Sequence, residues 1–191
     1  LSVGWLFDDM PQNLSALSLS VAVVARRIIG ELTGCYPLVK WPNDLVWKDQ
    51  KLGGVLIESS GENGSALHVV VGIGINVSID PTWLKKVCDW TKGAIDMDSM
   101  GKEKTIKNEL ASRLIEGFYE ILKSYGTYGF ELHHEEFISA NYLKDREIVL
   151  SNGNSNLAGT VVTVDLDGAL VLETDSGAHR VISGEVNLRS S

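Results

Sequence analysis

Two lysines, an amide and a carboxylate fall within twelve positions of this sequence, at Lys40, Asn43, Asp44 and Lys51. The pair Gly53-Gly54 follows at once and leaves the backbone without side chains. Fixed ammonium groups neutralise phosphate, hard oxygen ligands suit Mg²⁺, and bare backbone lets an anion approach N–H groups. This segment therefore predicts a site that binds a polyphosphate together with a metal ion.

A second glycine-spaced segment, Gly72-Ile73-Gly74-Ile75-Asn76-Val77, ends an apolar run. It does not match a dinucleotide-binding fingerprint, because Val77 stands where that motif has its third glycine and no helical pattern follows. We interpret it as a strand whose glycines admit a ligand.

Each motif taken alone also fits an ordinary structural role. Trp41-Pro42-Asn43-Asp44 is a composition that many turns share. Lys51 alone fits a solvated hairpin lysine, and Gly53-Gly54 alone fits a β-bulge. It is the combination of the three segments that favours a functional site.

The elements that position these residues follow from hydrophobic periodicity and turn signals. The first part of the chain predicts five strands and three helices, with residues 81–101 as a short helix and loop. The strands are expected at 1–7, 38–40, 45–47, 52–59 and 67–77, and the helices at 15–32, 104–125 and 130–143. After Asp145 five short strands, separated by turn dipeptides such as Asp167-Gly168, predict a small barrel at 147–150, 157–166, 169–173, 179–182 and 186–188.

Composition narrows the possible partners. The net charge of -8 over 191 residues argues against a broad nucleic-acid interface, although Lys40, Lys48 and Lys51 form a local basic cluster. No apolar run approaches the roughly 20 residues that span a bilayer, so no membrane contact is expected. Cys35 and Cys88 match no metal-ligand spacing and are typical of free thiols in a cytoplasmic protein.

Three segments of the sequence resemble signature segments of the biotin protein ligase family in order and spacing: 40–45, 51–58 and 72–77. The resemblance extends to a C-terminal small barrel that ends in Gly184-Glu185-Val186-Asn187-Leu188-Arg189. The resemblance implies an α/β (α+β) fold. Residues 1–144 would form a class II synthetase-like catalytic domain with helices packed on a mixed sheet. Residues 145–191 would form an SH3-like small β-barrel.

The resemblance also implies an activity, that of a biotin–[acetyl-CoA-carboxylase] ligase. Biotin and Mg·ATP would give biotinyl-5′-AMP, and a lysine of a biotin carboxyl carrier protein domain would then accept the biotin. Lys51 would be the catalytic residue that contacts the biotin carboxylate and the α-phosphate. The remaining site residues would bind ligands. Lys40, Asn43 and Asp44 would serve the ATP phosphates and, through Asp44, the Mg²⁺, and Gly53 and Gly54 would leave the backbone open to the anion. Gly54 and Leu56 would line the biotin cleft, Gly72 and Gly74 would form its facing wall, Asn76 would lie near the adenylate, and Trp90 would cover the adenine.

The sequence departs from the family pattern in one respect. A Gly- and Arg-rich loop and the polar residues that grip the biotin ureido ring belong upstream of the first strand, and Arg26 is the first arginine here. We therefore expect the catalytic domain to be incomplete at its N-terminus; a DNA-binding segment, where members have one, would also lie upstream. The resemblance leaves a homodimer through sheet edges possible. Two rivals stay open: a lipoate–protein ligase, and a non-catalytic or decayed ligase fragment.

Overall fold

A computed structural model of the chain describes residues 1–61, 66–80, 93–101, 107–152 and 155–188. Its first sheet is built from five strands, in the order β1-β5-β4-β3-β2, and every neighbouring pair is antiparallel. These strands are β1 (Ser2–Phe7), β2 (Leu38–Lys40), β3 (Asp44–Trp47), β4 (Gln50–Ser60) and β5 (Leu67–Ile75). Within the described residues, the parallel component of the predicted mixed sheet is limited to two isolated bridges, Val39–Asn141 and Lys51–Ala94.

In the described part of the chain, three α-helices pack on one face of this sheet. They are α1 (Leu17–Thr33), α2 (Lys107–Tyr128) and α3 (Glu131–Ala140), with α1 against the strands and the other two beside it. The predicted end of α1 is confirmed, because Gly34 adopts a left-handed conformation (φ 72°) and its N–H donates to the carbonyl of Gly30. No α-helix in the described part of the chain is long and apolar enough to cross a membrane.

Alternation along β5 gives the sheet a buried face and an open face. Leu67, Val69, Val71 and Ile73 are buried under the helices, whereas the residues between them point the other way. Gly74 is exposed and Gly72 is partly exposed on that opposite side. The glycines that the sequence marks as ligand-admitting therefore lie on the open face.

A second five-stranded antiparallel sheet follows, in the order β10-β6-β7-β8-β9. Its strands are β6 (Glu147–Asn152), β7 (Ser155–Val164), β8 (Leu170–Thr174), β9 (Gly177–Val181) and β10 (Glu185–Leu188). Its interior is apolar, formed by Ile148, Leu150, Val161, Val164, Leu170, Leu172 and Val186. This confirms the predicted C-terminal small β domain, while the boundary near Asp145 stays a prediction.

The turn between β7 and β8 joins the two sheets. The indole Nε1 of Trp41 donates to the carbonyl of Gly168 over 2.9 Å, and the amide of Asn13 donates to Asp167 over 2.8 Å. A side chain at Gly168 would stand 2.5 Å from the Cβ of Ala16, so only glycine allows this approach. The second sheet is therefore packed directly against the turn that precedes Asp44.

Candidate active site

Strand register brings four of the predicted site residues into one row on the open face. Lys40 pairs with Asp44 across β2–β3, Asp44 pairs with Gly54 across β3–β4, and Gly54 pairs with Gly74 across β4–β5. Paired residues of adjacent strands point to the same side of a sheet. The row thus places a cation, an anion and two bare backbone positions side by side.

Lys51 reaches this row from the neighbouring turn of β4. The pairing of β3 with β4 shifts between Leu45 and Val46, which is a β-bulge that redirects the following residues. As a result the ammonium of Lys51 lies 2.5 Å from the Oδ1 of Asp44. The Asp44 side chain is 16% exposed and that of Lys51 is 39% exposed, so the cation stands between a largely buried carboxylate and solvent.

Lys40 is the second cation of the site. Burial lowers the pKa of its ammonium group below the usual value, and the positive charge of Lys51 adds to that effect. The carboxylates of Asp44 and Glu185 oppose it. Glu185 belongs to β10, so the second sheet contributes an acid to the electrostatics of the site, and nothing in the local sequence around Glu185 predicted this.

The turn that presents Asp44 is held by hydrogen bonds. The Asn43 amide donates to the carbonyl of Val55 over 2.6 Å, and the N–H of Val55 donates back to the Asn43 carbonyl over 2.9 Å. The Ser18 hydroxyl of α1 donates to the carbonyl of Pro42 over 3.1 Å. In this structure the Asn43 amide fixes the turn on β4.

The glycines divide into two roles. A Cβ at Gly53 would stand 2.3 Å from the carbonyl oxygen of Gly74, so Gly53 is a buried point of close contact between β4 and β5. A Cβ at Gly74 would meet none of the described atoms within 4 Å. At Gly72 the nearest atom would be the carbonyl oxygen of Leu56, at 3.5 Å. Gly54, Gly72 and Gly74 line the open face, and Gly53 does not.

A cleft of about 340 Å³ opens between the start of α1, the turn after β2 and the middle of β4. Leu56, whose side chain is 61% exposed, lies at its edge together with Asn43. The volume falls at the lower end of the range of about 300–1,000 Å³ found for small-molecule sites. The cleft meets the candidate site at Asn43 and Leu56.

Asn76 supports Lys51 from the other side. Its amide lies 3.3 Å from the carbonyl of Lys51 and 3.2 Å from that of Ile95. Its own N–H donates to the carbonyl of Leu52. The structure thus places Asn76 at the backbone of Lys51, while Trp90 lies outside the described residues.

Asp44 is the one residue predicted to bind the metal ion. In the described part of the chain, no group of three or more His, Cys, Asp or Glu side chains could hold a metal ion. One carboxylate fits a Mg²⁺ ion that is bound mainly through substrate phosphates and water, which is the usual arrangement for this ion.

The sequence of this chain is similar to those of known protein families and proteins. Residues 5–76 match the biotin/lipoate A/B protein ligase family, and residues 145–189 match the biotin protein ligase C terminal domain. The bifunctional ligase/repressor BirA of Salmonella typhimurium is 30% identical over 191 residues, which cover 100% of this chain and 58% of that protein. The biotin–[acetyl-CoA-carboxylase] ligase of Paracoccus denitrificans is 25% identical over 182 residues, which cover 92% of this chain and 75% of that protein.

Among solved structures, a mutant of the biotin protein ligase from Aquifex aeolicus, in complex with biotin, is similar over 100% of this chain and 78% of the other. The TM-score is 0.80 and the sequence identity is 25%. The chain spans little more than half the length of the Salmonella relative.

Proposed function

This chain is a member of the biotin protein ligase family, as its three segments predict, and on that premise we propose that it activates biotin with ATP and transfers it to a protein lysine. The observation that carries the proposal is the ion pair of Lys51 and Asp44 at the edge of a glycine-lined face. The name of the Paracoccus relative and the biotin in the Aquifex structure support biotin as the carboxylic acid that is activated.

In the first step, a biotin carboxylate oxygen would attack the α-phosphorus of ATP, and pyrophosphate would leave. Two anions must approach each other, and negative charge spreads over the phosphoryl oxygens in the transition state. The ammonium of Lys51 is fixed at the margin of the open face, and that of Lys40 lies in the same row. Prepositioned cations of this kind lower the barrier because they need no reorganisation during the reaction.

In the second step, the neutral amine of a carrier lysine would attack the acyl carbon of biotinyl-5′-AMP. The amide C–N bond forms, the bond from the acyl carbon to the phosphate oxygen breaks, AMP leaves and the amine proton passes to solvent. Lys51 would again stabilise the negative charge that moves onto the leaving phosphate. The carrier lysine would come from a biotin carboxyl carrier protein domain, in keeping with the name of the Paracoccus relative.

The apolar and the charged parts of the site suit different ligands. The biotin ring system and its aliphatic chain suit the apolar edge at Leu56 and the bare backbone of Gly54, Gly72 and Gly74. Mg²⁺ would neutralise phosphate charge, and Asp44 would be its protein ligand. A homodimer through a sheet edge stays a prediction.

The test is ATP–pyrophosphate exchange with either biotin or lipoate as the acid. Biotin-dependent exchange is expected, and Lys51→Ala should lower it by roughly 10²-fold or more, the scale of a lost electrostatic contact in a transition state. Lys51→Arg keeps the charge and should recover part of the rate. Lys123→Ala, on the exposed surface of α2, is the control and should match the unmodified chain.

Three results would contradict the proposal. Exchange with lipoate alone would reassign the protein as a lipoate–protein ligase. A folded chain that supports exchange with neither acid would be a non-catalytic ligase fragment. Equal rates for Lys51→Ala and the unmodified chain would remove Lys51 from the mechanism.

A further inference from the structure

The turn that leads into Lys51 has a backbone conformation that lysine disfavours and aspartate tolerates. Lys48 and Asp49 connect β3 to β4 and both adopt left-handed conformations, with φ of 49° and 63°. Two-residue hairpin turns of this kind favour Asn-Gly or Gly-Gly, because a Cβ makes positive φ costly. A Lys-Asp pair in this position therefore gains from contacts outside the hairpin.

Those contacts come from the segment between α3 and β6. The hydroxyl of Tyr142 donates to the Oδ1 of Asp49 over 2.9 Å. The guanidinium of Arg146 lies 3.7 Å from the same oxygen and also covers the ring of Tyr142, 4.1 Å from its centroid. The carboxylate of Asp49 is thus bound by a phenol and a cation that also contact each other.

Tyr142 is itself fixed in place. Its side chain is buried, and its N–H donates to the carbonyl of Val39 over 2.9 Å, next to the bridge between Val39 and Asn141. Burial and the hydrogen bond to Asp49 raise the pKa of Tyr142, so the phenol remains a donor at neutral pH. The hydroxyl therefore holds the turn relative to β2, the strand that carries Lys40.

Lys51 lies two residues beyond Asp49, and its backbone is bound on its other side. Its N–H donates to the carbonyl of Gly93 over 3.1 Å, and its carbonyl accepts from Ile95 over 3.0 Å. A shift of the turn would change the angle at which the Lys51 side chain leaves β4, and with it the contact between the ammonium and Asp44.

We propose that Tyr142 and Arg146 are positioning residues for Lys51, acting through the carboxylate of Asp49. The role of Lys51 in adenylation is taken from the proposed function, so the test needs a reading that does not depend on activity. The rate at which the Lys51 amine is acetylated by acetic anhydride, followed by mass spectrometry, gives that reading.

The decisive variant is Tyr142→Phe, which removes one hydroxyl and keeps the ring. Tyr119→Phe makes the same chemical change on the exposed face of α2 and is the matched control. In Tyr142→Phe we expect the labelling rate of Lys51 to rise severalfold, because its ion pair with Asp44 loosens. The kcat for biotin-dependent exchange should fall about tenfold, as expected for a small misplacement of a catalytic group. The KM values should change little, and Tyr119→Phe should leave all three quantities unchanged.

Arg146→Gln is the second variant, since the Arg146 side chain is 38% exposed and its replacement leaves no buried gap. It should change the labelling and kcat in the same direction as Tyr142→Phe. If both variants fold and both leave Lys51 labelling and kcat at the level of Tyr119→Phe, the positioning role is wrong. An unmodified chain that folds but performs no exchange would refute the proposed function instead, whatever the labelling shows.

Discussion

The division of the glycines into two roles can be tested by adding one methyl group at each of two positions. Gly74→Ala and Gly53→Ala make the same covalent change on adjacent strands of the same sheet. At Gly74 the methyl group would project from the open face, with none of the described atoms within 4 Å. At Gly53 it would meet the carbonyl oxygen of Gly74 at 2.3 Å and the Cα of Ile75 at 3.2 Å, which are both backbone atoms.

These distances set the expected magnitudes. For Gly53→Ala, β4 and β5 must separate, and overpacking of this kind costs about 1–3 kcal/mol or more. A loss of 1 kcal/mol lowers the Tm by about 2–4 °C in a chain of this size, so a decrease of about 2–12 °C is expected. Gly74→Ala should leave the Tm unchanged or raise it slightly, because alanine restricts the unfolded chain by about 0.4–1 kcal/mol.

For biotin affinity we expect the larger loss in Gly74→Ala, the variant with the smaller effect on Tm. If biotin lies against the open face, the methyl group of Gly74→Ala occupies space that the ligand needs, and a loss of at least about tenfold in affinity corresponds to about 1.4 kcal/mol. Calorimetric melting and biotin titration of both variants measure the two effects. A Gly74→Ala protein that binds biotin as well as the unmodified chain would show that the ligand lies elsewhere. A Gly53→Ala protein with an unchanged Tm would show that the two strands are not in close contact.

Three further predictions concern charge and packing. Because burial lowers the pKa of Lys40, its ammonium should lose its proton at a lower pH than an ordinary lysine. The KM for ATP, measured as a function of pH, should therefore rise on the alkaline side. Lys40→Arg should move that rise to higher pH. Burial, with the charge of Arg27, lowers the pKa of His133 in the folded protein to about 4. As the pH drops, the unfolded chain therefore binds a proton at this histidine before the folded chain does. The free energy of unfolding should fall as the pH drops from about 6.5 towards 4. Urea unfolding at several pH values should show a shallower fall for His133→Gln. Trp41→Phe should leave the Gly168 carbonyl without its indole donor and lower the free energy of unfolding by about 1–3 kcal/mol, measured by urea unfolding.

Much of the fold follows from local signals in the sequence. The helix predicted at 15–32 is found as α1 (Leu17–Thr33), since its apolar spacing and Gly34 define both its face and its end. Strands of the second sheet lie within a few residues of their predicted positions, because dipeptides such as Asp167-Gly168 mark the turns. Local periodicity and turn chemistry are enough for elements of this kind.

The site is less accessible from sequence, for two physical reasons. Alternation along a strand puts only one of two consecutive residues on a given face. The pairing of Gly54 with Asp44 and with Gly74 puts Gly54 on the open face, so Gly53 points the other way. Contacts between distant residues leave no trace in a local pattern. Glu185 near Lys40, and Tyr142 on Asp49, fall into this second group.

The bond from Trp41 to Gly168 also bears on how the protein is made. The two residues are separated by 127 positions, and a ribosome synthesises the chain from the N-terminus onwards. When the turn containing Pro42 and Asn43 leaves the exit tunnel, the acceptor for its indole does not yet exist. The nascent polypeptide therefore carries this turn without the contact at Trp41 until Gly168 has been added.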